Sequence, residues 1–90
     1  MSVSIAEKRR EARHPGQGSV LVRSENPGSR DIQGRLVDVS ASGFRMAHQC
    51  AALTAGQYVE FAHVEAKGRA RVVWTRILAE AVESGFVVAG

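Results

Sequence analysis

The sequence predicts a small all-β protein built as an antiparallel barrel. Three observations predict it. Five or six short β-prone segments follow one another at even spacing, turn-forming residues separate them, and helical periodicity is weak outside residues 5–13 and the alanine-rich 47–55. Residues 1–7 read as an N-terminal tail and 8–90 as a single domain. Within that domain the basic knot Lys8-Arg9-Arg10-Glu11-Ala12-Arg13 precedes Pro15-Gly-Gln-Gly18, a run that breaks regular structure and leaves the basic segment flexible. Residues 19–23 (SVLVR) form the first strand, and 25–30 (ENPGSR) a turn-rich gap. Residues 32–39 and 43–48 alternate, with Phe44 and Met46 on one side and Arg45 on the other. Residues 58–64 read the same way, although Tyr58 and Val59 blur the pattern. In 67–76, Ala70, Val72 and Trp74 fall opposite Arg69, Arg71 and Val73, so Trp74 is expected in the core. The last segment, 79–89, is interrupted at Glu83-Ser-Gly85.

Composition and charge exclude several classes of function. The chain has 90 residues, 44% of them hydrophobic and 23% charged, which suits one globular domain with a modest core. No apolar run approaches the ~20 residues that span a membrane, and Met1-Ser-Val-Ser-Ile-Ala lacks a signal-peptide core. A lone Cys50 fits a reducing compartment, so the expected location is cytoplasmic. The formal net charge of +3 is carried by the knot at residues 8–13, and the remaining cations and anions balance. A duplex-binding surface spreads its cations to meet many phosphates, whereas one knot suits a small anion. The five aromatic residues do not alternate with cations as a stacking platform would, which argues against nucleic acid as a partner.

Two patterns could carry chemistry. Arg9 and Arg13, four apart with Lys8, Arg10 and His14 beside them, offer planar forks of N–H donors that stay protonated and suit phosphate oxygens or the edge of guanine. The alternative is a solvated basic tail. Asp38-Val-Ser-Ala-Ser-Gly43 lies between two expected strands. Its plain role is a turn, with Asp and Ser bonded to local backbone and Gly43 free to take positive φ. Its functional role would give Asp38 the two N–H donors of guanine's Watson–Crick edge, Ser40 a hydroxyl contact, and Gly43 room for close approach.

Together the two patterns resemble the PilZ family, whose signatures are Arg-x-x-x-Arg and, about 25 residues later, Asp-x-Ser-x-x-Gly. Arg9, Arg13, Asp38, Ser40 and Gly43 match both without a gap. Weaker likeness continues at Gly56, Val73-Trp74 and Gly85-Phe86, so only residues 1–7 lie outside the resemblance. The resemblance implies a six-stranded antiparallel barrel of the split-barrel type that binds the bacterial second messenger cyclic di-GMP through those five residues. Lys8, Arg10 and His14 would border the ligand. Many such domains continue into a C-terminal helix, whereas this sequence stops at Gly90 with little or no helix, and homodimerisation is one way to cover the barrel end.

The remaining chemistry-bearing residues read as structural. His14, His48 and His63 lack partners at metal-ligand spacing, Cys50 sits in an apolar stretch, and no catalytic triad or phosphate loop is visible, so neither enzyme, metal nor cofactor is expected. The leading expectation is a cyclic di-GMP receptor that changes conformation and signals to a partner protein. The alternatives are a ligand-independent adaptor of the same fold and, behind it, a nucleic-acid-binding barrel.

Overall fold

The computed structural model describes residues 12–25 and 30–89. Seven strands make up the fold: β1 (His14–Pro15), β2 (Ser19–Ser24), β3 (Asp31–Val39), β4 (Gly43–His48), β5 (Tyr58–His63), β6 (Ala66–Ile77) and β7 (Val82–Ala89). All pairings are antiparallel, and the order β3-β2-β5-β6-β7-β4 closes on itself through β3–β4. The result is the expected closed six-stranded barrel, with β1 as an extra short strand on β3. Among the described residues there is no helix, and so none long and apolar enough to cross a membrane. The alanine-rich stretch after β4 forms turns rather than a helix. The last segment passes through Glu83-Ser-Gly85 as one strand.

Alternation places the core where the sequence put it. Val20 and Val22 from β2, Leu36 from β3, Phe44 and Met46 from β4, Val59 and Phe61 from β5, Ala70 and Val72 from β6, and Phe86 from β7 point inward and are buried. Phe44 stacks on Phe86 with ring centroids 4.6 Å apart and tilts against Phe61 at 4.7 Å, tying β4, β7 and β5 together.

Two β-bulges interrupt that alternation. In β3, Leu36 pairs with Met46 but Asp38 pairs with Arg45, so Val37 is the extra residue. In β6, Val72 pairs with Phe86 but Trp74 pairs with Gly85, so Val73 is the extra residue. Met46 and Phe86 face inward; Arg45 and Gly85, one residue away from them, face outward. Each bulge therefore turns the side chain that follows it to the outer surface. This corrects the expectation for Trp74, which is only partly buried and stands outside the core cluster.

The run from Arg13 to Gly18 is less free than its composition implies. His14 and Pro15 pair with Val39 and Asp38. Gly16 N–H then donates to Val37 O at 2.9 Å, and Leu36 N–H donates to Gly18 O at 2.9 Å. The chain turns at Gly18 with φ of 92°, a conformation that favours glycine. Pro15–Gly18 thus breaks strand geometry yet remains bonded along the β3 edge.

Candidate functional site

The register places one residue from each of four strands in a single row across the outer face: Asp38 of β3, Arg45 of β4, Gly85 of β7 and Trp74 of β6. Both bulges serve this row, one presenting Asp38 and the other Trp74. Gly85 has no side chain to obstruct it, and the Trp74 indole lies over it so closely that a Cβ there would come within 2.5 Å of the ring. Arg76, two residues along β6, sits 4.5 Å above the Trp74 ring in a cation–π contact and reaches Glu83 at 3.8 Å.

Arg13, the residue before β1, reaches into this row. Its Nε donates to Asp38 Oδ1 at 3.1 Å, one terminal nitrogen lies 3.1 Å from the same oxygen, and the other donates to Ser40 Oγ at 3.3 Å. Arg45 approaches the same carboxylate, its Nε 3.0 Å from Oδ1 and 2.9 Å from Oδ2 and a terminal nitrogen on Oδ2. The Asp38 side chain is only 11% exposed, yet it is fully matched by two guanidinium groups. These bonds, chiefly those from Arg45, hold the Asp38 carboxyl below its ordinary range, and the pairing raises Arg45. Beside them Arg13, Phe44, Arg45, Val73, Trp74, Arg76, Gly85 and Phe86 line an open cup of about 380 Å³. The cup brings together three guanidinium groups and the Trp74 indole. Such a surface suits a ligand with a flat ring system and anionic groups.

The sequence-predicted residues meet this cup unequally. Arg13, Asp38 and Ser40 are joined by direct bonds. Gly43 belongs to the same turn, where its carbonyl accepts from Ser40 N–H at 2.8 Å and from Ser40 Oγ at 3.4 Å. Its φ is not positive, so the turn reading of its role is corrected. What requires glycine there is the β7 backbone, because a Cβ would stand 2.0 Å from Phe86 O. His14 turns away to Glu65, with Nε2 3.0 and 3.1 Å from the two carboxylate oxygens. Lys8, Arg9 and Arg10 lie outside the described residues. Sequence reasoning missed Arg45, Trp74, Arg76 and Gly85 as site residues. None of these four carried a local signal; the sequence hints only at the β3 bulge, where apolar inward positions step by three from Leu36 to Val39 and send Asp38 outward.

Behind the row lies a buried polar chain. Cys50 N–H donates to His48 Nδ1 at 3.0 Å, so the neutral ring carries its proton on Nε2 and donates to Ser84 Oγ at 2.7 Å. Ser84 Oγ lies 2.7 Å from Thr75 Oγ1. In this tautomer His48 cannot accept the Ser84 proton, and Ser84 is fully buried, so the pair ties β4, β7 and β6 together and is not an activated nucleophile. Burial pushes the His48 pKa down. Among the described residues no group of three or more His, Cys, Asp or Glu could hold a metal ion. No protein-family model matches the chain, and no curated protein matches it.

Proposed function

We propose that this protein is a PilZ-type receptor for cyclic di-GMP, which binds the messenger at the cup beside Asp38 and passes the signal to a protein partner. The observation that supports it most is the union of Arg13 with Asp38 and Ser40, residues 25 and 27 positions apart, at the rim of a cup holding the chain's single tryptophan. Cyclic di-GMP offers two guanines and two phosphodiesters on one ring. Guanidinium groups of Arg13, Arg45 and Arg76 suit the phosphates, and the partly buried Trp74 ring suits a base that takes the place of Arg76 over it. Arg9 would add a second guanidinium from the N-terminal side. Binding replaces solvent over the cup with ligand and ties the start of β1 to it, which changes the surface a partner meets. The reading carries a bacterial, cytoplasmic setting with it and assigns no catalytic step.

Calorimetric titration tests it, with cyclic di-GMP, GTP and a single-stranded oligonucleotide compared in one buffer. Saturable binding of cyclic di-GMP, with GTP and the oligonucleotide weaker at least tenfold, is the expected result. Equal affinity for all three would favour a nucleic-acid surface. No heat with any of them would favour a ligand-independent adaptor.

A further inference from the structure

The carboxylate of Asp38 has little left to offer a ligand. A carboxylate has about four lone-pair directions. Here Oδ1 receives Arg13 Nε, an Arg13 terminal nitrogen and Arg45 Nε, while Oδ2 receives Arg45 Nε and an Arg45 terminal nitrogen. A guanine edge arriving at Asp38 would find its acceptor sites filled by arginine. The two guanidiniums are in the opposite condition. Arg45 turns Nε and one terminal nitrogen to Asp38, and its other terminal nitrogen has no acceptor among the described residues. Arg13 bonds Asp38 and Ser40 with three of its five N–H groups. Their side chains are 39% and 35% exposed, and both line the cup. Two arginines on one carboxylate leave a net positive charge with outward-facing donors, held in place by an anchor that is itself nearly buried.

We propose that Arg45 is a binding residue of this site, and that Arg13 and Arg45, both locked on Asp38, form a two-arginine fork for a phosphate group of the ligand. Asp38 is then a positioning residue, which spares the two flexible side chains the ordering they would otherwise undergo on binding. The inference rests on the reading of the cup as a nucleotide site, but the fork needs only an anionic phosphate. Arg45 belongs to neither sequence motif. It is singled out by its register, one strand across from Asp38 and one from Gly85.

Two measurements test the fork. In the first, Arg45→Ala and Arg71→Ala are titrated with cyclic di-GMP beside the wild type. Arg71 is an exposed β6 cation outside the cup, so its loss controls for net charge. Loss of a charge-assisted phosphate contact predicts an affinity roughly tenfold or more lower for Arg45→Ala and within about twofold of wild type for Arg71→Ala. In the second, the arginine Nε–H resonances of the wild-type protein are followed by NMR during titration with inorganic pyrophosphate and with cyclic di-GMP. Those of Arg13 and Arg45 should move together and saturate, while that of Arg23, paired with Asp31 elsewhere, stays fixed. Where cyclic di-GMP binds the wild type, equal effects of the two alanine variants overturn the proposal, as does an Arg45 resonance that neither ligand moves. If Arg45→Ala does not fold, the resonances decide alone. If pyrophosphate moves both arginines but cyclic di-GMP moves neither, the cyclic di-GMP reading falls and the fork stands.

Discussion

Replacing Gly43 by alanine separates a folding role from a binding role at a motif residue. The added methyl carbon would lie 2.0 Å from Phe86 O, 3.1 Å from its carbonyl carbon and 3.3 Å from Val87 Cα, whereas ordinary contact starts near 3.4 Å. The obstacle is backbone, so no side chain can swing aside, and β4 must move from β7 by more than an ångström at this point. That movement strains the Gly43–Val87 pairing and the adjacent bonds from Val88 N–H to Ser42 O at 2.7 Å and from Ser40 N–H to Gly43 O at 2.8 Å. Overpacking of this kind costs about 1–3 kcal/mol, and two weakened hydrogen bonds add about 1 kcal/mol each. The expected loss is about 3–5 kcal/mol, which lowers the Tm of a domain this size by roughly 12–40 °C. Thermal unfolding followed by circular dichroism reads it directly. Gly56→Ala is the benchmark, because Gly56 has φ of 96° but nothing within 4 Å of a Cβ, and should lose only about 1–2 kcal/mol to backbone strain. A Gly43→Ala protein that melts within about 3 °C of wild type would refute the packing argument and return Gly43 to a role in ligand approach.

Three other outcomes follow from the same geometry. Gly85→Ala should displace the Trp74 ring rather than the backbone, shifting the tryptophan fluorescence maximum and weakening cyclic di-GMP binding while Tm falls by less than in Gly43→Ala; an unshifted spectrum contradicts the stacked position of Trp74. Asp38→Asn should lower stability by about 1–3 kcal/mol at pH 7, and the deficit should shrink in acid: the folded carboxyl titrates below its ordinary range, so its contribution is complete above pH ~4 and is lost as pH falls through the lower folded value. For His48 the folded ring binds its proton less readily than the unfolded chain, so stability should be full above pH ~6.5 and decline as pH drops below it; His48→Gln should flatten that slope, leaving the contribution of His63, and an unchanged slope in urea titrations across pH 5–8 would refute the assignment.

Much of the fold was legible because alternation is a local signal. Val20 and Val22, Phe44 and Met46, and Val59 and Phe61 each announce an inward face within four residues. The site was legible only in part, for a physical reason. A bulge is one extra residue in a ladder, and its position depends on the partner strand, so strict period-two reading through Val73 sends Trp74 to the wrong face. Arg45 has no local signature at all. Its significance comes from pairing with Asp38 and Gly85 on two different strands, a fact of register. The turn at residues 38–43 was legible as a turn, but the close contact of Gly43 with Phe86 spans 43 positions of sequence.

The claim that the Asp38–Arg45–Gly85–Trp74 row is the face that binds cyclic di-GMP is tested most directly by mapping where the ligand touches. A titration of the isotope-labelled chain with cyclic di-GMP, followed by amide and indole NMR shifts, resolves the footprint residue by residue. The account predicts saturable shifts at Arg13, Asp38, Ser40, Arg45, Gly85 and the Trp74 indole N–H, with Leu21, Arg23 and Glu60 on the β2–β5 side unmoved. Shifts centred on β2 and β5, or none at saturating ligand, would contradict it.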